Sequence, residues 1–243
     1  MLVRKLLRMI RSKLPKIYFS VDPNSTHGDF LLASLSYLAN TSKIDTQIAL
    51  FEIGTGGTSS KIMRSFLEEN SNTKLYSFEN SKQWMNVYKK KYSNHERHKI
   101  YFIQDNNWEL AIQEVLDKLP IGTRILAFID SSPWESRITA FNTLGDVADL
   151  FLIHDADYFP HNQIIGEEIE PIKYAPRNTF YYGTLKLENL GSRNYDIFAK
   201  YWVEVFPMTP GYFTGPPTLI ASNHLDVAEI HLPEKSIKLP KSR

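Results

Sequence analysis

The residues best placed to do chemistry lie in Phe51-Glu52-Ile53-Gly54-Thr55-Gly56-Gly57-Thr58-Ser59, where an apolar run meets an amphipathic one through glycines. Gly54 and Gly56 allow a closeness of backbone approach that a side chain would block. The segment that follows, if helical, offers unsatisfied amides to an anionic or polar group, with Thr58 and Ser59 as caps. Such a loop taken alone is as often an ordinary tight turn. Its surroundings sharpen the reading. Glu79 stands 23 residues after Gly56, near the spacing of about 20 at which an acid holds a ribose. Glu52, Glu79, Asp105, Asp130 and Asp155 each fall at the end of a short apolar segment. A single such acid is usually solvated, but five predict an edge built for a ligand. Glu52, directly before the glycines, is expected to accept a hydrogen bond from a cationic or amino-bearing ligand. Position 59 is Ser where a Gly-x-Gly-x-x-Gly fingerprint has its third glycine, and no Gly-x-x-x-x-Gly-Lys-Ser/Thr pattern occurs, which excludes a P-loop triphosphatase.

The elements that position these residues alternate. Strands are expected at Gln47–Ile53, Lys74–Phe78, Lys99–Ile103, Arg124–Ile129 and Asp149–Ile153. Helices are expected at Phe30–Leu38, Ser59–Asn70, Lys82–Tyr92, Trp108–Leu119 and from about Pro133 to Val147. Beyond His154 the pattern changes. Residues 156–177 carry Pro160, Pro171 and Pro176 and read as a loop or lid, Thr179–Leu187 and Thr218–Ser222 as strands, and Asp196–Val205 as a helix. The prediction is a Rossmann-like, doubly wound α/β fold: a mostly parallel seven-stranded sheet with an antiparallel C-terminal edge and helices on both faces.

Composition sets the outer limits. The chain has 243 residues, 42% hydrophobic and 23% charged, and no cysteine. That excludes disulfides, thiolate metal sites and a cysteine nucleophile. With 28 basic against 27 acidic residues, no overall field favours nucleic acid. No apolar stretch approaches the roughly 20 residues of a spanning helix. The expected organisation is a basic amphipathic extension over residues 1–28, one domain over 29–233 and a basic tail over 234–243. In the extension, Arg4, Lys5, Arg8, Arg11, Lys13 and Lys16 interleave with apolar residues. Three readings of it compete: a packed helix, an organelle presequence, or a membrane-surface contact through residues 1–17. The predicted location is cytoplasmic, membrane-peripheral if that contact is made; an oligomer is compatible with the sequence.

On these residues the chain resembles the class I S-adenosylmethionine-dependent methyltransferases, over about residues 28–157. Glu52-Ile53-Gly54-Thr55-Gly56-Gly57 looks like their first motif, whose loop wraps the methionine part of the cofactor. Glu79 matches the acid that holds the ribose hydroxyls and Asp105 the residue beside the adenine. The resemblance thus implies cofactor contacts at Glu52, Gly54, Thr55, Gly56, Ser59, Glu79, Asp105 and Asp130. It also implies a sheet ending in an antiparallel hairpin. Phe128-Ile129-Asp130-Ser131-Ser132-Pro133 and Leu152-Ile153-His154-Asp155 look most like small O-methyltransferases of sugars and sugar-bearing natural products. Several members of that branch hold a divalent metal on such acids, which implies Asp130 and Asp155 here, with Asp157 nearby and Mg²⁺ as the ion.

Methyl transfer to a hydroxyl needs alignment and removal of a proton. His154 is the base by type, against the alternative of a strand-end histidine bonded to backbone; Asp155 or Asp130 would orient it or hold the metal. Arg137 is expected to pair with Glu135 or Asp146, or else to face the edge. Trp134 and Phe180-Tyr181-Tyr182 are candidate sugar-stacking residues, more often core in such segments. Tyr158, Lys173 and Arg177 sit in the expected lid. His27, His161 and His224 read as surface or loop residues. The expected reaction is methyl transfer to a sugar, glycan or small hydroxylated molecule. The competing functions are an NAD-dependent oxidoreductase and a non-catalytic binding protein of the same fold.

Overall fold

The computed structural model describes residues 27–92, 95–154, 181–183, 201–205 and 218–231. The amphipathic extension (1–17 included), Asp155, the 156–177 segment and the basic tail lie outside these residues.

Four βα units and a fifth strand follow helix α1 (Gly28–Thr41). They are β1 (Ile48–Ile53), α2 (Ser59–Glu69), β2 (Thr73–Glu79), α3 (Lys82–Tyr92), β3 (His98–Phe102), α4 (Trp108–Leu116), β4 (Arg124–Ile129), α5 (Trp134–Leu144) and β5 (Leu150–His154). Three more strands come later, β6 (Tyr181–Gly183), β7 (Tyr201–Val205) and β8 (Thr218–Ser222), before a 3₁₀ turn at Val227–Glu229. All strands lie in one sheet of order β3-β2-β1-β4-β5-β8-β7-β6. The pairs β2/β3, β1/β2, β1/β4 and β4/β5 are parallel. Those of β8 with β5 and β7, and of β6 with β7, are antiparallel.

The strands are continuous apolar runs because both faces are covered. Side chains alternate along them. Ala49, Phe51 and Ile53 of β1 join Trp108, Ile112, Phe141 and Leu144 under α4 and α5. Ile48 and Leu50 join Phe30, Leu31, Leu35, Met63 and Leu67 under α1 and α2. The doubly wound fold with its antiparallel edge is as expected. Two details differ: the sheet has eight strands among the described residues, not seven, and Tyr201–Val205 is a strand inside the span expected to be a helix. Tyr201, Trp202, Val203 and Val205 are aromatic or β-branched types that favour strands, and the segment pairs with β8. Among the described residues no helix is long and apolar enough to cross a membrane.

Strand order reverses between β1 and β4, so the crevice at their carboxyl ends is where open α/β sheets take ligands. Gly54 and Asp130 meet there.

Candidate functional site

Gly54 sits in the left-handed region, at φ 86°. A Cβ on it would lie 2.5 Å from the Asp130 carbonyl oxygen. The Asp130 amide in turn donates to Ile53 O at 2.8 Å. The β4 end therefore rests on the glycine loop, backbone against backbone. Gly56 is constrained more mildly, since its Cβ would meet Ser59 Oγ at 2.9 Å. Gly57 faces open space.

The four of these acids that lie among the described residues do not share one register at this edge. Glu52 precedes the last residue of β1, Glu79 is the last of β2, and Asp130 follows the last of β4. Asp105 lies beyond β3, exposed, in a turn where it and Asn106 adopt φ of 52° and 58°.

Alternation turns Glu52 beneath α2, where it is fully buried. Its Oε1 accepts from Ser59 Oγ at 2.9 Å and Ser60 Oγ at 2.5 Å. Oε2 accepts from Ser77 Oγ at 2.7 Å and Tyr88 OH at 2.8 Å. Burial pushes its carboxyl pKa up, against the pull of these hydroxyls. The network runs on: Ser77 Oγ meets His98 Nε2 at 2.9 Å, and Arg64 Nη1 meets His98 Nδ1 at 3.3 Å. Arg64 can only donate, so Nδ1 accepts and Nε2 carries the hydrogen given to Ser77. Burial, then Arg64 and His95, hold the His98 pKa down at about 4. Glu52, expected as a ligand contact, has both oxygens occupied by these four hydroxyls. It and Ser59 form a buried clamp that fastens the start of α2 to β1 and β2. Ser59, in the place of a third glycine, has its hydroxyl committed to that clamp.

Glu79 does meet the glycine loop. Its Oε2 accepts from the Thr55 amide at 3.1 Å and Thr55 Oγ1 at 2.7 Å, and its Oε1 from the Ser81 amide at 2.8 Å. Trp84, in the first turn of α3, donates its indole N–H to Thr55 O at 2.6 Å. The Gly56 amide donates to Ser60 Oγ at 3.2 Å. Asn80 Nδ2 reaches Ser132 O at 2.6 Å, linking the ends of β2 and β4. Neither Trp84 nor Asn80 carried a signal in the sequence. Their role follows from α3 starting directly after β2.

Around Asp130 the titratable groups converge. Arg137 is buried on α5 and donates Nη2 to Asp130 Oδ1 at 2.8 Å, Nε to Ser131 O at 2.6 Å, and Nη1 to His154 O. It pairs with Asp130 and not with Glu135 or Asp146. His154 Nδ1 lies 3.4 Å from the same Oδ1. His27, expected at the surface, is 3% exposed. Its ring lies edge-on to His154 with centroids 4.4 Å apart and 4.7 Å from Phe128. Burial, reinforced by His154 and opposed by Asp130, lowers the His27 pKa to about 3. Burial pushes the Asp130 carboxyl up, but His154, Arg137 and His27 together hold it below the usual carboxylate range. Donor atoms of His27, Asp130 and His154 all lie within 4.8 Å of one another. The Asp130–His154 pairing was expected; the partnership with His27 was not, because 127 residues separate the two histidines in the chain.

What fold and site define together is a class: a Rossmann-like α/β protein with a glycine loop at the topological switch point and, beside it, a His–Asp–His cluster whose two histidines are buried. No protein-family model and no curated protein matches the chain. Solved structures do resemble it. One is a protein from Legionella pneumophila str. Philadelphia 1, with 13% identity, 84% of this chain and 85% of that one covered, and a TM-score of 0.48. A second is the O-methyltransferase from Bacillus cereus in complex with SAH, at 12% identity, 90% of each chain and a TM-score of 0.46. The methyltransferase domain of METTL16 is a third, at 11% identity, 79% of this chain, 66% of that one and a TM-score of 0.45. Likenesses at this level decide neither ligand nor reaction.

Proposed function

We propose that the chain is an S-adenosylmethionine-dependent methyltransferase acting on a hydroxyl of a sugar, glycan or other small hydroxylated molecule. The observation that carries the reading is Glu79, the strand-end acid that binds the glycine loop directly. A carboxylate offers about four acceptor positions, and three donors reach Glu79: the Thr55 amide and hydroxyl and the Ser81 amide. One position remains for a ribose hydroxyl, and a turn of the Thr55 hydroxyl frees another. The antiparallel return of β8 beside β5 agrees with the sheet edge that the resemblance implies.

On this reading Glu79 holds the ribose, residues 54–57 receive the methionine part, and Asp105 stands beside the adenine. The cofactor supplies an electrophilic methyl group on sulfonium. The protein's part is to fix the acceptor and handle its proton, and the Asp130–His154 pair at the ends of β4 and β5 is the group suited to it. Arg137 keeps that pair in place through three bonds.

Calorimetry of the full chain with S-adenosylhomocysteine and NAD side by side tests the cofactor. Binding of the former, weakened at least tenfold by Glu79→Ala, is expected. A folded protein that binds no S-adenosylhomocysteine refutes the reading; one that binds NAD instead is an oxidoreductase candidate. Labelled S-adenosylmethionine with a panel of sugars, with and without EDTA, then tests the acceptor.

A further inference from the structure

Both ring nitrogens of His27 are buried and have no hydrogen-bond partner among the described residues. Histidine is expensive to bury in that condition, since the ring loses its hydration and gains nothing in exchange. A ligand that takes a nitrogen lone pair removes the penalty. The surroundings supply the rest of a coordination set. His154 Nδ1 and Asp130 Oδ1 stand 3.4 Å apart, which is the edge of a tetrahedron whose centre lies about 2.1 Å from each donor, the ordinary length of a zinc–imidazole bond. The third donor, from His27, is within 4.8 Å of both, so a small turn of one imidazole brings all three onto a single ion.

We propose that His27, Asp130 and His154 form a binding site for a divalent transition metal of the Zn²⁺ type. Two imidazoles and one carboxylate select that class. Mg²⁺ prefers an all-oxygen shell and does not match them. The set also differs from the Asp130/Asp155 pair of oxygen ligands expected from sequence, because it draws a ligand from the start of α1. Asp130, whose side chain is 27% exposed, is the side of the cluster open to an incoming ion. Arg137, on Asp130 Oδ1, Ser131 O and His154 O, sets the orientation of the carboxylate as outer partners of metal ligands do. Three protein ligands leave a fourth position for a small oxygen ligand such as water or a hydroxyl. If the proposed methyl transfer is correct, that position is where the acceptor hydroxyl's pKa would be lowered. With an ion bound, His154 acts on the proton through the metal. Binding of the ion itself does not depend on that reading.

The test uses the full chain stripped with EDTA and titrated with Co²⁺ and, separately, Zn²⁺. One equivalent of Co²⁺ is expected to give the intense visible bands of a four-coordinate site, displaced by Zn²⁺. His27→Asn and His154→Gln should each weaken Zn²⁺ binding at least 100-fold, with unchanged far-ultraviolet circular dichroism. His224→Ala, at an exposed residue, should leave it unaltered. A wild-type chain that takes up no stoichiometric Co²⁺, gives only the faint spectrum of a six-coordinate aqua ion, or binds Zn²⁺ as tightly in folded His27→Asn, overturns the proposal. If the variants do not fold, the wild-type spectrum alone decides. Zn²⁺ uptake without S-adenosylhomocysteine binding would sustain the metal site and reject the methyltransferase; the reverse result would do the opposite.

Discussion

Alanine at Gly54, Gly122 and Gly57 separates two costs that are usually measured together. Gly122 has φ 83° and open space where a Cβ would go, so its substitution meets conformational strain alone. That strain is about 1–2 kcal/mol, offset in part by the roughly 0.4–1 kcal/mol that losing a glycine takes from the unfolded chain's freedom. Gly122→Ala should therefore cost about 1 kcal/mol. Gly57 has neither positive φ nor a neighbour within 4 Å, so Gly57→Ala should be neutral or stabilise by roughly 0.5 kcal/mol. At Gly54 the strain recurs at φ 86°, and the new Cβ would lie 2.5 Å from Asp130 O and 2.7 Å from Ser131 Cα. Relief to an ordinary 3.4 Å contact needs a backbone movement of 0.9 Å (3.4 − 2.5). Asp130 resists it through its amide bond to Ile53 and its ion pair with Arg137. Overpacking of this kind adds about 1–3 kcal/mol, so Gly54→Ala should cost about 3 kcal/mol or more. Urea titrations of the three variants give these differences through their midpoints, provided the slopes agree. A Gly54→Ala midpoint indistinguishable from that of Gly122→Ala would show that the β1 and β4 ends do not press together, and the positioning of Asp130 argued from that contact would fail.

Thr55→Ala frees a position on Glu79 Oε2 while keeping the backbone bond, so S-adenosylhomocysteine should bind as tightly or more tightly by calorimetry; a tenfold weakening would refute sharing of Glu79 between the loop and a ribose. Arg137→Met leaves Asp130 without its guanidinium and should lower stability by about 3–5 kcal/mol in urea titrations. Glu52→Gln turns one acceptor into a donor and should cost about 1–2 kcal/mol, whereas Glu52→Ala strands four hydroxyls and should cost about 4 kcal/mol or more by the same measurement. His98 is held neutral with a pKa of about 4, while the unfolded chain protonates near 6.5, so the unfolded state binds more protons between those values. Stability is then complete above about pH 6.5 and declines as pH falls toward 4, by about 2 kcal/mol between pH 7.5 and pH 5 from this residue; His98→Gln should flatten that part of the urea-midpoint profile.

The sheet was legible because its strands are buried on both faces, and unbroken runs such as Ile48–Ile53 have few alternatives. The acids were harder to place. Standing at the end of an apolar run does not say on which side of the sheet a residue emerges. Glu52 lies at the same parity as Ile48 and Leu50 and so enters the face covered by α1 and α2. Asp130, one residue past its strand, escapes it. Arg137 and His27 depend on tertiary proximity: Arg137 had nearer acids in Glu135 and Asp146 to pair with, and His27, the residue before α1, has no spacing that points to Asp130. The late strand Tyr201–Val205 carried strand-favouring aromatic and β-branched residues, but the expected helical span around it concealed it.

Asp130 joins these observations mechanically. Its amide is fixed by β1, its carbonyl oxygen by the bare face of Gly54, and its carboxylate by Arg137, which is itself anchored to the backbone of Ser131 and His154. A residue held at its amide and at one carboxylate oxygen, with its backbone packed on Gly54, resists swinging to meet a ligand, so whatever binds beside it must fit the arrangement already present. Glu79 is the opposite case. Thr55 occupies one of its oxygens through a hydroxyl that a single torsion removes, so that end of the crevice can exchange an internal partner for an external one. The crevice thus combines a yielding acceptor at β2 with a rigid carboxylate at β4. The proposed reaction, which admits a nucleoside and then aligns a hydroxyl, needs these two properties in that spatial order.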